Sequence, residues 1–321
     1  MTAAAGQPGS AHRPVVLFVL GMARSGTSAL TRVLSLCGGA LPTGLVGAME
    51  ANPRGFFESR KATYVSESIL RRNGSAGYDP SLRLQEEVAL DAKEKAACLA
   101  DMGAFLATLP TAPLVVIKDH RINALIPMWF EAARAAGFDV ATVNAVRHPQ
   151  EVIASVAKNA PAAPELTDSL WLKYNLLAER NTRTVPRVFV EYPNLLDDWR
   201  REVKRISAAL AIDLDADEGA IDEFLTPDLR RQRYDGPMVE PFGTDWNSTV
   251  YETLCAAARD EPWDESVLDR VFEAYRASEY AFRTASGNFR HNFSNPLLRP
   301  SVLRVVGEVL AIANRRKGTW A

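Results

Sequence analysis

Four short apolar runs recur along the chain, at Val15–Leu20, Leu114–Ile117, Val140–Val146 and Arg187–Glu191. Each is rich in β-branched residues and too short to be a self-sufficient helix, which predicts buried strands. Between the runs, apolar residues return at spacings of three and four. Ala29, Leu30, Val33, Leu34 and Cys37 make one such stripe. Helices are also predicted over 86–108 and 165–182, and from Asp198 to about Ala211. Strand and helix alternate, so the expected fold is α/β, a doubly wound parallel sheet flanked by helices. From Gly236 the pattern changes. Pro237, Pro241 and Gly243 interrupt the chain, and helical stretches follow at about 248–258, 264–285 and 297–315. The expected division is a tail over 1–13, a core over 14–235 and a helical C-terminal cap over 236–321.

In doubly wound sheets, ligands bind beyond the carboxyl ends of the strands. Here all four strand ends are polar. Arg24 follows the first, Lys118-Asp-His-Arg121 the second, Arg147-His-Pro149 the third and Tyr192 the fourth. In such a sheet, four clusters of this kind would converge on one crevice.

The first strand end carries the sharpest signal. A strand, a turn from Gly21 to Gly26 and a helix make an anion cradle: backbone N–H groups and the helix dipole point at one spot. Gly21-x-x-x-x-Gly26-Thr27-Ser28 is P-loop-like but lacks the Lys that reaches the β/γ-phosphates of a nucleoside triphosphate. Thr27 stands in its place, and the loop's cation is Arg24. At the third strand end, Arg147 and, eight residues on, Ser155 could hold a second anion, or could be an ordinary ion-paired Arg and a helix-surface Ser. Read with the first loop, they favour a ligand with anions at two ends.

His120 could be a general base or a structural histidine. Glu58 ends the run Asn52-Pro-Arg-Gly-Phe-Phe-Glu58 inside the Gly/Pro-rich connection 38–60. Beside two aromatics its carboxyl would be desolvated and its pKa raised, as a base needs; the alternative is a solvated helix-start Glu. Glu50 is a poorer candidate on the same loop. Tyr192 could stack on a base, donate its hydroxyl or sit in the core.

Composition narrows the classes. The 321 residues carry a net charge of −2, which offers no electrostatic basis for nucleic-acid binding, so any basic site must be local. Cys37, Cys98 and Cys255 are widely spaced, show no metal-ligand pattern and are too few for a disulfide framework. No apolar run approaches a membrane span, and residues 1–13 lack the apolar centre of a signal peptide, so a cytoplasmic location is expected.

These motifs resemble those of the sulfotransferases that use 3′-phosphoadenosine-5′-phosphosulfate (PAPS). Ala23-Arg-Ser-Gly-Thr-Ser28 is similar to the family's P-[KR]-[ST]-G-T-[TS] loop, and Arg147 with Ser155 to its 3′-phosphate motif. Asn52–Glu58 resembles a run of the bacterial and carbohydrate-type branch. Lys118-Asp-His120 resembles the Lys-Thr-His of the cytosolic branch, although bacterial relatives show Pro at the His120 position. Ala29-Leu30 stands where the cytosolic branch has an adenine-stacking Trp, and Arg316-Lys-Gly318 matches a family motif out of context. The likeness covers about residues 14–211.

The resemblance implies sulfuryl transfer from PAPS to a hydroxyl of a small molecule or glycan, with 3′,5′-adenosine bisphosphate (PAP) as product and no metal. It implies that Ser25, Gly26, Thr27 and Ser28 hold the 5′-phosphate, Arg24 clamps the bridging oxygen, and Arg147, Ser155 and Tyr192 serve the nucleotide. Lys118 would assist at the sulfuryl oxygens, and His120 or Glu58 would take the acceptor's proton. A non-catalytic nucleotide-binding protein and a P-loop kinase are the competing classes. A homo-oligomer is compatible with the sequence. The stripe Leu298, Val302, Val305, Val306, Val309 and Leu310 reads either as a partner face or as ordinary packing.

Overall fold

The computed structural model describes residues 13–49, 52–86, 90–160, 162–226, 229–296 and 299–314. Glu50, Leu298, Arg316-Lys-Gly318 and all of the expected tail but Arg13 lie outside them. Of the described residues, those up to Phe272 form one compact unit and those from Glu273 a second.

The first unit is built on a four-stranded parallel sheet. Strand β1 (Val15–Leu20) leads through α1 (Thr27–Leu36), α2 (Arg60–Arg72), α3 (Arg83–Glu86) and α4 (Ala92–Leu106) to β2 (Leu114–Lys118). A 3₁₀ turn (His120–Ala124) and α5 (Ile126–Ala135) precede β3 (Asp139–Val146). Helices α6 (Pro149–Ala157) and α7 (Pro164–Asn181) lead to β4 (Arg187–Glu191). There follow α8 (Tyr192–Asp197), α9 (Trp199–Leu210), α10 (Glu218–Phe224), α11 (Trp246–Ala258) and the start of α12 (Glu265–Ser294). The second unit holds the rest of α12 and α13 (Pro300–Asn314).

The strand order is β2-β1-β3-β4, in parallel register from Val15 opposite Leu114 and Asp139. The four predicted strands are all present. Alternation along β1 divides the core: Leu17 and Val19 pack with Leu30, Val33 and Ile206 on one face, while Phe18 meets Trp129 and Phe130 on the other. Burying a side chain such as Phe18 completely stabilises the fold by roughly 2–3 kcal/mol.

Helix boundaries follow local chemistry. Asp91, Asp198 and Asp217 each accept a first-turn N–H through the carboxylate. Pro149 and Pro164 sit at helix starts, where a missing N–H costs nothing. From β1 the chain crosses to the β2 side and from β3 to the β4 side, so the crevice of a doubly wound sheet opens between the ends of β1 and β3. Among the described residues, no helix is long and apolar enough to cross a membrane.

Candidate active site

Two glycines shape the loop between β1 and α1. Gly21 has φ 113° and lies so close to β3 that a Cβ would overlap the Ala145 carbonyl oxygen. Gly26 has φ 86°, and a Cβ there would overlap the Tyr192 ring. Arg24 also takes a positive φ, 72°, which costs a non-glycine residue on the order of 1 kcal/mol. Arg147 holds this strained carbonyl, its Nη1 donating to the Arg24 oxygen at 2.9 Å. Helix α1 has neither a side-chain cap nor an acidic residue in its first turn. Its first-turn N–H groups therefore suit an anion.

A cavity of about 490 Å³ opens above this loop, a size typical of small-molecule sites. Arg24, Gly26, Thr27, Ser28, Glu58, Lys118, His120, Arg147, Ser155 and Tyr192 all line it. Ser25 does not: its N–H closes onto the Met22 carbonyl at 3.2 Å, and its hydroxyl is buried without a partner. Seven lining side chains are cationic and one, Glu58, is a carboxylate. The basic site is thus local, in a chain that is slightly acidic overall.

One end of the cavity gathers guanidinium groups. Arg24 Nε donates to Ser155 Oγ at 3.0 Å. Burial, then the nearby Arg147 and Arg231 charges, push the Arg24 guanidinium below its ordinary value. Arginine stays protonated even so, and such crowding is relieved by an anion. Arg147 is itself buried. Its Nε donates to Glu151 at 2.8 Å and its Nη2 to the Gln232 carbonyl at 3.0 Å, and its guanidinium lies 4.9 Å from the Tyr192 ring centroid. Tyr192, wedged between this guanidinium and Gly26, supports the loop. Arg230 also binds Glu151, at 2.6 Å. Burial alone would raise the Glu151 carboxyl, but the hydrogen bonds from Arg230 and Arg147 hold it below its ordinary value.

The other end gathers Lys118, Glu58 and His120. Lys118 Nζ meets Glu58 Oε1 at 2.5 Å and the Phe56 carbonyl and Ser28 Oγ at 3.4 Å. Glu58 was expected beside an apolar patch; instead it meets an ammonium. His120 is buried against the Tyr78 and Tyr174 rings, with centroids 5.6 and 6.2 Å away. Burial, then the charge of Arg121, lowers its pKa to about 3, so the imidazole is neutral near pH 7. Its Nε2 has no hydrogen-bond partner.

Glu58, Asp119 and His120 bring potential ligand atoms within 4.8 Å of one another. Lys118 sits on the first carboxylate, and Arg121 Nη1 donates to the second at 3.0 Å. A donor set already holding two cations fits a metal ion poorly.

Sequence reasoning missed several contributors. Asn123 clamps the loop to the β2 exit, exchanging hydrogen bonds of 3.0 Å with the Gly21 backbone and donating to the His120 carbonyl at 2.7 Å. Its place one turn after His120 is the only signal. Arg54, Lys158, Arg121 and Arg231 add charge to the lining. Arg54 also ties the 52–57 loop to the end of α10, donating to the Phe224 carbonyl and, at 2.7 Å, to Thr226 Oγ1.

Comparison with protein-family models and with curated proteins finds no match. Among solved structures, the chain is similar to the sulfotransferase domain from the Synechococcus PCC 7002 olefin synthase, with a TM-score of 0.44 and 18% identity over 79% of this chain and 98% of that one. It is also similar to the sulfotransferase domain from the curacin biosynthetic pathway, with a TM-score of 0.42 and 14% identity over 79% of this chain and all of the other.

Proposed function

We propose that the chain is a sulfotransferase that moves a sulfuryl group from PAPS to a hydroxyl of a small molecule or glycan. The observation that carries this reading is a Lys-free anion cradle whose Arg24 reaches Ser155, in one cavity with Arg147 and the Lys118–Glu58–His120 group. Sulfuryl transfer asks mainly for positioning and charge stabilisation. The N-terminus of α1, with the Thr27 and Ser28 hydroxyls, holds the 5′-phosphate. Arg147 and Ser155 serve the 3′-phosphate. The acceptor oxygen attacks sulfur in line, the bond from sulfur to the 5′-phosphate oxygen breaks, and PAP leaves. Arg24 stabilises the charge on that oxygen electrostatically, because a guanidinium has no proton to give. Lys118 stabilises the sulfuryl oxygens, and the acceptor's proton passes to His120 Nε2 or to Glu58.

The P-loop kinase alternative is disfavoured. Thr27 replaces its Lys, and Asp119, its candidate magnesium ligand, is fully buried and held by Arg121.

Isothermal titration with PAP tests the reading: binding is expected in the micromolar-to-millimolar range, and its absence overturns the proposal. Transfer of radiolabelled sulfate from PAPS to a panel of hydroxyl acceptors tests catalysis. Binding of PAP without transfer assigns the chain to the non-catalytic class.

A further inference from the structure

The second unit presents an exposed apolar surface. Along α12, Phe282, Phe289 and Phe293 fall within about 20° of one line at 100° per residue. They are 78%, 65% and 80% exposed, and the last two rings pair with centroids 5.8 Å apart. On α13, Val305, Val306, Val309 and Ile312 are also exposed. Such a cluster on a soluble chain marks a contact surface.

Charge indicates what it contacts. Residues 273–321 carry eight Lys/Arg against three Asp/Glu, while residues 1–272 carry 29 against 36. The segment is thus +5 on a chain whose remainder is −7. Arg299 and Arg304 are exposed on or beside α13, and the sequence continues Arg315-Arg-Lys317, with Trp320 three residues on. Exposed aromatic and aliphatic residues with arginines beside them suit a helix lying in the plane of an anionic bilayer. A second copy of the chain is a poorer occupant, because it would bring two +5 segments together. Neither α12 nor α13 is long and apolar enough, over its described residues, to cross a membrane, so the helices would lie on the bilayer surface.

We infer that the exposed faces of α12 and α13 are a docking surface for anionic lipid bilayers. The test is flotation of the full chain with vesicles of phosphatidylcholine alone and with vesicles in which roughly a third of the lipid is phosphatidylserine. The chain is expected to float with the anionic vesicles only. Partition is expected to fall about tenfold when salt is raised to about 0.5 M, and about tenfold in F289E/F293E and in R299E/R304E. Far-UV circular dichroism and the thermal midpoint of the variants should match those of the parent chain, because the substituted side chains are exposed. Failure to float with anionic vesicles overturns the inference, as does equal flotation with neutral ones. A lipid-free dimer that F289E/F293E splits also overturns it, since a second copy would then cover the face.

Discussion

Arg24 and Ser155, 131 positions apart in the chain, are joined by a hydrogen bond of 3.0 Å from Nε to Oγ. The sequence pairs Ser155 with Arg147, and Arg24 with the first loop. In the fold these are one structure: Arg147 holds the Arg24 carbonyl while the Arg24 side chain reaches the Ser155 hydroxyl. The expected seats for two separate anions therefore adjoin, with Arg24 between them. The Ser155 oxygen accepts from the Arg24 guanidinium, and its own O–H is the group that would donate to a phosphate oxygen.

Ser155→Ala tests that donation. A hydrogen bond to a charged group contributes roughly 1.5–3 kcal/mol, so PAP affinity measured by titration calorimetry should fall about tenfold or more. Thermal stability should change by no more than about 1 kcal/mol. Unchanged affinity would mean that Ser155 only anchors Arg24.

Lys118 and Glu58 form a nearly buried ion pair, with side chains 4% and 13% exposed. Removing one partner strands the other charge in a largely buried position. Lys118→Met alone should cost on the order of 3 kcal/mol in denaturant unfolding, and K118M/E58Q should recover a large part of it. If the double variant simply adds the two single losses, the pair is not coupled. Under the proposed mechanism sulfate transfer is lost in both, because Lys118 is assigned to the sulfuryl oxygens and Glu58 is a candidate for the acceptor's proton.

The fold was largely legible because parallel strands buried on both faces leave short β-branched runs, and the sheet contains all four. Helix α4 begins at Ala92, where Asp91 caps it, and not at 86, since apolar spacing does not register a cap. Helix α12 runs on to Ser294, past the expected end near 285, and its second half lies exposed. The polar strand ends were legible singly, but their pairings were not. Glu58 meets Lys118 from 60 positions away and Arg230 meets Glu151 from 79. Local spacing carries no trace of contacts that the sheet creates.

His120 should set part of the acid limb of stability. Its pKa is about 3 in the fold against an ordinary 6.5, mainly through burial and the charge of Arg121, with Lys118 adding and Glu58 and Glu67 opposing. Between those values the unfolded chain binds a proton that the folded chain refuses. Stability is therefore full above pH 6.5 and is lost as pH falls toward 3, by on the order of 4 kcal/mol. His120→Gln should flatten this limb in denaturant titrations across that range. The same slope in parent and variant would mean that the imidazole is solvated. The variant's sulfate transfer, measured alongside that of E58Q, identifies the base: the group whose loss abolishes turnover while PAP still binds.

Asp168 shows the opposite sign. It is fully buried on α7, and its Oδ1 accepts from Asn247 Nδ2 at 2.7 Å. Its Oδ2 and Asn247 Oδ1 are both buried without partners. Burial raises its pKa to about 7; the Asn247 hydrogen bond opposes this, and Glu240 and Glu165 reinforce it. A carboxyl raised above its ordinary value of 3.8 gives stability that is present below 3.8 and lost as pH rises toward 7. Asp168→Asn removes the ionisation, and its amide can donate to Asn247 Oδ1. The variant should be more stable than the parent by on the order of 3 kcal/mol at about pH 8 and nearly equal at about pH 4. Equal midpoints at both pH values in thermal unfolding would show that Asp168 ionises in the fold as it does in water.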